Sequence, residues 1–226
     1  MRLFIAAEPR ELEGFLPYCT NVSPVEFPVH WARVGNWKEQ QMIAIANGAG
    51  PVRAAAAVDC VLSITRALAV CSVGFCGALD PELGIGDVFV AKSVNGLSAM
   101  RPVTEVTHRT GALVSVEHIA GTAEHKQELR ARGFDAVEME AAGVAERASH
   151  YGAPFYCVRA VTDVAGESFA NDFEAALKPD GRFAVSNLLV AALARPFERV
   201  PELFRLQRRC GIAARRLGGF LDACEF

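Results

Sequence analysis

The chain predicts an α/β fold: a single domain with a central mixed, largely parallel twisted sheet flanked by helices. Short apolar runs alternate with segments of helical periodicity along most of its 226 residues, which is typical of a helix-covered sheet. The length fits one domain that can bury a large core. Neither an internal repeat nor a low-complexity linker appears in the sequence, so the pattern indicates one continuous unit.

Local patterns set the predicted elements. Pro9 opens a helix just after the first strand, where its missing N–H costs nothing. Gly48 and Gly50 form a tight turn that precedes an alanine-rich helix. Strands are predicted at residues 2–6, 22–34, 41–46, 68–73, 86–92, 113–116 and 155–161, and helices at residues 51–66, 123–132, 141–150 and 173–193.

Three carboxylates stand next to predicted strand ends in residues 134–163, a strand–helix–strand segment. Glu138 and Glu140 lie where the first strand runs into the helix, and Asp163 ends the second strand. Ligands of open α/β sheets bind outside the carboxyl ends of the strands, so we expect these acids to converge on a ligand. For Glu138, a favourable interaction with the helix dipole is the alternative interpretation.

The sequence around these acids resembles the nucleoside phosphorylase superfamily. The motif VEMEAAGVA, followed about twenty residues later by VRAVTDVA, is most similar to the branch of methylthioadenosine/adenosylhomocysteine nucleosidases. The similarity spans residues 1–193. It implies that Glu140 binds the ribose hydroxyls, with Glu138 and Met139 beside it in a substrate-binding segment. It also implies that Asp163 hydrogen-bonds or protonates N7 of a purine.

Glu11, in the segment AAEPRELEGFL, bears on the choice between hydrolysis and phosphorolysis. The resemblance places it where these nucleosidases carry the acid that activates water and where phosphorylases carry an arginine for phosphate. A carboxylate can accept a proton from water, and it would repel phosphate. The alternative is a stabilising acid in the first turn of a helix, which is the interpretation we favour for Glu8 and Glu13.

The segment SVGFCGAL, residues 72–79, resembles the glycine loop at a strand end in this family. Phosphorylases place an arginine two residues before the first glycine and a serine or threonine after it; here these positions hold Ser72 and Phe75. A phenyl ring offers no donor to phosphate. Nucleosidases usually keep a serine at the Phe75 position, so we also expect the ring to narrow the water site. Gly74 lets the backbone pass close to the sugar.

The segment that would bind the base departs from the family pattern. An aromatic residue normally stacks on the adenine, whereas here His118 or Ile119 takes that place. A surface position is the alternative for His118. The 5′ side differs as well, because Ala49 replaces a larger aliphatic residue and Glu8 replaces an apolar one. We expect a roomier or more polar 5′ pocket, which argues against methylthioadenosine itself as the substrate.

The end of the chain extends beyond the resemblance. We divide the chain into a nucleoside phosphorylase-like domain, residues 1–195, and an arginine-rich amphipathic helical tail, residues 196–226. Apolar residues recur in the tail at helical spacing. We expect this stripe to pack on its own domain or on a partner subunit. Contact with an anionic membrane surface is the alternative, since basic amphipathic helices can lie in that interface.

Composition limits the other possibilities. With a net charge of −3, the chain as a whole lacks the excess of basic residues that is typical of nucleic-acid-binding proteins. The seven cysteines contain no CxxC pair, and Cys71, Cys76 and Cys157 are expected to be buried thiols in a reducing cytoplasm. The N-terminus turns acidic too soon for a signal peptide. We expect neither a metal nor a cofactor. We expect the protein to be a cytoplasmic homodimer that binds a small-molecule nucleoside as its substrate.

These observations predict a purine nucleosidase that hydrolyses the N-glycosidic bond of a 5′-modified adenosine-type nucleoside. Glu11 and Asp163 are the predicted catalytic residues; the predicted substrate-binding residues are Gly74, Phe75, His118, Ile119, Glu138, Met139 and Glu140. One alternative is a phosphate-dependent nucleoside phosphorylase, including the hopanoid-associated type, with Arg10, Arg33 or Arg53 as phosphate ligands. The other is a nucleoside-binding protein without catalytic activity, because fold alone does not guarantee activity.

Overall fold

The fold is a mixed α/β domain built around one ten-stranded sheet. The computed structural model describes residues 1–226 except for the side chain of Val185. The strands are β1 (Arg2–Ala6), β2 (Thr20–Pro24), β3 (Trp31–Trp37), β4 (Gln40–Ala46), β5 (Ala69–Ala78), β6 (Val88–Val94), β7 (Leu97–Ser98), β8 (Arg109–Ser115), β9 (Ala136–Glu138) and β10 (Phe155–Asp163). The α-helices are α1 (Pro51–Leu62), α2 (Ala123–Ala131), α3 (Ala141–His150), α4 (Val185–Ala192) and α5 (Pro196–Asp222), and short 3-10 helices cover Pro9–Glu11 and Leu16–Tyr18.

The sheet closes on itself at one end. Its order is β10-β6-β8-β9-β5-β1-β4-β3-β2, and β10 also pairs with β5, so that five strands form a ring. Within it, β5 pairs in parallel with β1 and β10 but antiparallel with β9. The sequence predicted a mixed, largely parallel sheet flanked by helices, and this fold class is confirmed.

Helices cover both faces of the sheet. Side chains alternate along a strand, so Leu3 and Ile5 of β1 join one apolar cluster with α1 and α3. Phe4 points to the opposite face and packs with Leu217 and Phe220 of α5. The end of α5 is also tied to the sheet through polar contacts; for example, the indole of Trp37 donates to Asp222 at 3.1 Å. The C-terminal half of α5 therefore belongs to the core.

Three predicted elements differ most from their observed bounds. The predicted strand 22–34 is two strands, β2, which ends at Pro24, and β3, with Pro28 in the connection between them. The strand predicted to end before Gly74 continues to Ala78, because β10 and β9 supply hydrogen-bonding partners along it. The predicted helix 173–193 is regular only over Val185–Ala192. Before it, the chain reverses at Gly181, whose φ of +76° a helix cannot contain.

None of the described helices is both long and apolar enough to cross a membrane.

Candidate active site

A cavity of about 830 Å³ lies against the ends of β1, β5, β9 and β10 and is walled on its far side by α4 and α5. Its two ends differ in character. Carboxylates line the acid end: Glu8, Glu11, Glu138, Glu140 and Asp163. Large apolar side chains line the apolar end: Phe173, Phe183, Leu188, Leu189, Val200, Leu203, Phe204 and Leu206.

The closed ring of strands brings the carboxylates together. Gly77 of β5 is paired with Asp163 of β10 on one side and with Val137 of β9 on the other. A Cβ at Gly77 would lie 2.7 Å from Asp163 Oδ2, so only glycine leaves room for the carboxylate. Glu138 follows Val137 in β9, which runs antiparallel to β5. The acids thus meet around Gly77 rather than along one common edge of a parallel sheet.

Glu11 is held at the cavity by three backbone N–H groups. Those of Ala7 and Glu8 donate to Oε2 at 2.8 Å, and that of Phe75 donates to Oε1 at 2.9 Å. Burial raises the pKa of Glu11, and these hydrogen bonds partly oppose the increase. A Cβ at Gly74 would lie 2.5 Å from Oε1, which explains the glycine there. A carboxylate accepts about four hydrogen bonds, so Glu11 keeps acceptor capacity for a water molecule.

Glu138 is a buried anchor rather than a free acid. Arg159, in the middle of β10, donates to Glu138 Oε2 at 2.6 Å and to the hydroxyl of Ser72 at 2.7 Å. Ser115 and the backbone N–H groups of Glu140 and Ala141 also donate to the Glu138 carboxylate. The pair is almost completely buried, with 1% and 2% of the side chains exposed. Glu138 therefore joins β9, β10 and the start of α3.

Glu140 lies at the start of α3 and receives one backbone hydrogen bond, from Gly50 at 2.9 Å. Burial, followed by the negative charges of Glu138 and Glu11, raises the pKa of Glu140 to about 8. This shift favours the protonated form of its carboxyl group near neutral pH. In that state it can both donate and accept hydrogen bonds, which suits it to vicinal hydroxyls.

Asp163 forms a buried ion pair with a residue of α2. The ammonium group of Lys126 lies 2.5 Å from Asp163 Oδ2, and the hydroxyl of Thr162 donates to Oδ1 at 3.0 Å. Burial raises the pKa of Asp163, while Lys126 opposes that rise. The ammonium also lies 5.4 Å from the ring centroid of Phe169, a further contact that fixes it. Asp163 is thus oriented by its neighbours at the edge of the cavity.

The apolar end is built by segments that follow β10. Phe173 and Leu188 are buried in one cluster, against which Ile119, Phe183 and Leu203 pack. A polar network supports this wall from behind. Glu202 of α5 accepts from the backbone N–H groups of Ala170 and Asn171, each at 2.8 Å. The wall is therefore anchored to the segment that leaves the acid end.

The structure brings most of the predicted residues to one cavity. Phe75, Ile119, Met139 and four of the carboxylates line it or its rim, and Gly74 lies directly behind Glu11. The four are Glu11, Glu138, Glu140 and Asp163. His118 is not brought there. Its side chain is 79% exposed and bonds Glu174, which raises the pKa of the imidazole. The side chain of His118 points to solvent, whereas that of Ile119 lines the cavity. His118 therefore takes the surface position that was its alternative interpretation.

Sequence analysis missed two charged residues of the site. Arg159 could have been recognised from the sequence, because a cation inside an otherwise apolar buried strand needs a buried partner. Lys126 could not have been recognised in this way, because it lies on a short helix with many other polar residues. Among the described residues that line the cavity, Arg10 is the cation, and it pairs with Glu8. Arg33 stacks on Trp31 elsewhere, and Arg53 bonds the Pro179 carbonyl at the surface.

The described residues contain no group of three or more His, Cys, Asp or Glu side chains arranged to hold a metal ion. All seven cysteines are free, and Cys71, Cys76 and Cys157 are buried.

Comparisons with known proteins agree with this architecture. The 5′-methylthioadenosine/S-adenosylhomocysteine nucleosidase of Marinomonas sp. (strain MWYL1) is 27% identical over 179 residues, 64% of this chain and 78% of that protein. Its namesake from Staphylococcus aureus (strain JH9) is 26% identical over 178 residues, with the same coverage.

Solved structures share the fold over nearly the whole chain. The nucleosidase of S. pneumoniae with a transition-state inhibitor superposes with a TM-score of 0.74 at 16% identity, covering 99% of this chain and 97% of that one. The futalosine hydrolase of Helicobacter pylori gives a TM-score of 0.71 at 16% identity, covering 98% and 95%. The sequence model of the phosphorylase superfamily matches residues 3–114 and 94–193 of this chain. The chain therefore belongs to that superfamily.

Proposed function

We propose that the protein is a purine nucleosidase that hydrolyses the N-glycosidic bond of a 5′-modified adenosine-type nucleoside to free base and sugar. One observation carries the proposal. The acid end gathers four carboxylates (Glu11, Glu138, Glu140 and Asp163) around two buried cations, Arg159 and Lys126, each already paired with an acid. The names of the relatives, which are nucleosidases, support the same chemistry.

The charge of this end favours hydrolysis. When the C1′–N9 bond breaks, positive charge develops on the sugar ring and negative charge on the purine. The Glu11 carboxylate, positioned beforehand by three backbone N–H groups, stabilises the developing cation in a site of low dielectric. The same carboxylate would repel a phosphate anion, whereas neutral water carries no such penalty.

Each acid then has a role at a stated atom. A water held by Glu11 loses a proton to that carboxylate as its oxygen bonds to C1′. The electron pair of the C1′–N9 bond moves to the purine, and N7 takes a proton from Asp163. Burial raises the pKa of Asp163, which favours the protonated form that can donate this proton. Lys126 orients this group and keeps it a strong enough acid to give the proton up.

Glu140 positions the sugar by binding its 2′ and 3′ hydroxyls, so that C1′ stays aligned between Glu11 and Asp163. With the base at Asp163 and these hydroxyls at Glu140, C5′ is the remaining position that can carry a substituent. The apolar end of the cavity is the space left for it. An apolar 5′ substituent would bury its surface against Phe173, Phe183 and Leu203, at about 25 cal/mol per Å².

The substitution Glu11→Gln tests the proposal. It keeps the size of the side chain and removes the base, so we expect tight binding of a non-cleavable nucleoside analogue with base release slowed at least about a hundredfold. Glu13→Gln is the matched control, since Glu13 is exposed at the rim and is expected to keep its activity. Base release by Glu11→Gln at the wild-type rate would refute the role of Glu11.

Phosphorolysis is the second candidate, and Arg10 is the observation in its favour. Arg10 lines the cavity, and its side chain is 48% exposed. It could meet a phosphate only by leaving its ion pair with Glu8. A rate that rises with phosphate and falls in Arg10→Gln would favour this candidate over hydrolysis.

A further inference from the structure

The junction of α4 and α5 exposes several large apolar side chains close together. We call this surface the elbow; its exposed fractions are 53% for Leu189, 69% for Val190, 69% for Leu193, 94% for Phe197 and 68% for Phe204. Single exposed apolar residues are ordinary on soluble proteins, whereas clusters mark surfaces that meet another body. The elbow therefore has the character of a surface that meets another body.

The two halves of α5 differ sharply. From Ala213 onward its apolar residues are buried, and Leu217 and Phe220 join the core cluster of Phe4 and Phe15. In the first half, Phe197, Phe204 and Arg208 follow one another at intervals of seven and four residues, which places them on the same face of a helix. All three are exposed. This outward face thus mixes aromatic rings with positive charge, as interfacial helices do.

The charge around the elbow is opposite to that of the whole protein. Residues 178–209 hold seven basic and three acidic side chains, although the chain as a whole carries −3. Several of these charges are already paired: Asp180 with Arg182, Glu198 with Arg195, and Glu202 and the neighbouring Glu167 with Arg205 and Arg209. Among the described residues, the exposed Lys178 and Arg208 have no acidic partner within ion-pair distance, and the basic side chains of the segment outnumber its acids. The elbow therefore presents positive charge to its surroundings, which favours an anionic surface.

We propose that the elbow is a docking surface for an anionic lipid bilayer. Phe197 and Leu193 enter the boundary between headgroups and acyl chains, while Arg195 and Arg208 meet the headgroups. A second copy of the chain fits less well, because a two-fold interface through the elbow would set one basic patch against its equal. Docking does not depend on the proposed catalytic activity.

The position of the elbow gives docking a consequence. Leu189 and Phe204 line the apolar end of the cavity and are also exposed at the elbow. The elbow therefore borders the apolar end, and a docked protein would hold this end of its cavity beside the bilayer.

Vesicle sedimentation of the full chain tests the proposal. We expect the protein to pellet with vesicles of phosphatidylcholine and phosphatidylglycerol at low salt, to be released as salt rises, and not to pellet with phosphatidylcholine alone. The double variant Leu193→Ser/Phe197→Ser should partition at least tenfold less. Arg195→Glu/Arg208→Glu should show the same loss on anionic vesicles.

The matched control is Ile64→Ser/Leu68→Ser, which removes two exposed apolar residues outside the elbow and should pellet like the wild type. Unchanged melting temperatures would show that each variant is folded. Absence of pelleting by the wild type, or equal pelleting of the elbow variant, would overturn the proposal. So would a dimer in sedimentation velocity that Leu193→Ser/Phe197→Ser dissociates, because the occupant would then be a second copy.

Discussion

The two ends of the cavity are built on different principles. At the acid end, side chains from strand ends are held by backbone donors and buried ion pairs, as Glu11 and Glu138 show. At the apolar end, rings and aliphatic chains from α4, α5 and their connection pack without directional bonds. If the proposed function holds, the acid end fixes the chemistry, while the apolar end sets which 5′ substituent is accepted and tolerates variation.

The largest expected effect comes from the acid end. Asp163→Asn removes the proton donor while keeping its shape, so the rate of base release should fall by at least about two orders of magnitude. The loss should be equal for substrates with short and long 5′ substituents, because this end does not contact them. Single-turnover assays on adenosine derivatives measure it. Near-wild-type turnover in a folded variant would remove Asp163 from the mechanism.

The pH dependence of stability tests how well water is excluded from the acid end. The folded pKa of Glu140, about 8, lies above its ordinary value, so its contribution is full at low pH and is lost as pH rises through 8. We expect wild-type stability to fall by a few kcal/mol more than that of Glu140→Gln between about pH 5 and about pH 8.

Urea denaturation at several pH values checks this difference. Glu146→Gln is the matched control on the same helix, because Glu146 is exposed. Parallel curves for wild type and Glu140→Gln would mean that the Glu140 carboxyl is solvated, and the contrast between the ends would weaken.

Lys126 tunes the proton donor in this account. Its positive charge lowers the pKa of Asp163, so Lys126→Met should raise that pKa. Since Asp163 acts in its protonated form in this account, the alkaline limb of the rate should move to higher pH. A pH–rate profile of Lys126→Met beside wild type measures the shift. An unmoved limb, or one moved to lower pH, would contradict this assignment.

The apolar end should affect only long substituents. Leu203→Ala shortens a side chain of the cavity wall, and we expect kcat/KM for 5′-octylthioadenosine to fall about tenfold, with adenosine little changed. Leu193→Ala is the control, because Leu193 is exposed on α4 and does not line the cavity. Equal losses on both substrates would mean that the two ends are not separable.

The sequence was most informative where local pattern and tertiary structure agree. Helix Ala141–His150 was predicted with its observed bounds, and the mixed α/β fold class is confirmed. The residues of the VEMEAAGVA segment and Asp163 do meet at one cavity. Their meeting depends on the antiparallel contact of β9 with β5 and the pairing of β10 with β5, which no local pattern encodes.

The apolar end was harder to predict. Residues 173–193 have helical periodicity, but Pro179 and Gly181 turn the chain before α4 begins. The stripe in the tail gave no indication of which residues would be covered, since the same spacing fits a core face and an exposed one. Lys126 could likewise not be predicted from the sequence, because a buried lysine on a polar helix is recognised only through its partner.

Products formed with and without phosphate test the central claim most directly. The protein would be incubated with 5′-methylthioadenosine and 5′-octylthioadenosine while free adenine is measured by chromatography and sugar phosphates by phosphorus NMR. Our account predicts adenine release at a rate independent of phosphate, with free sugar as the other product. Release that requires phosphate and yields one sugar 1-phosphate for each adenine would contradict it.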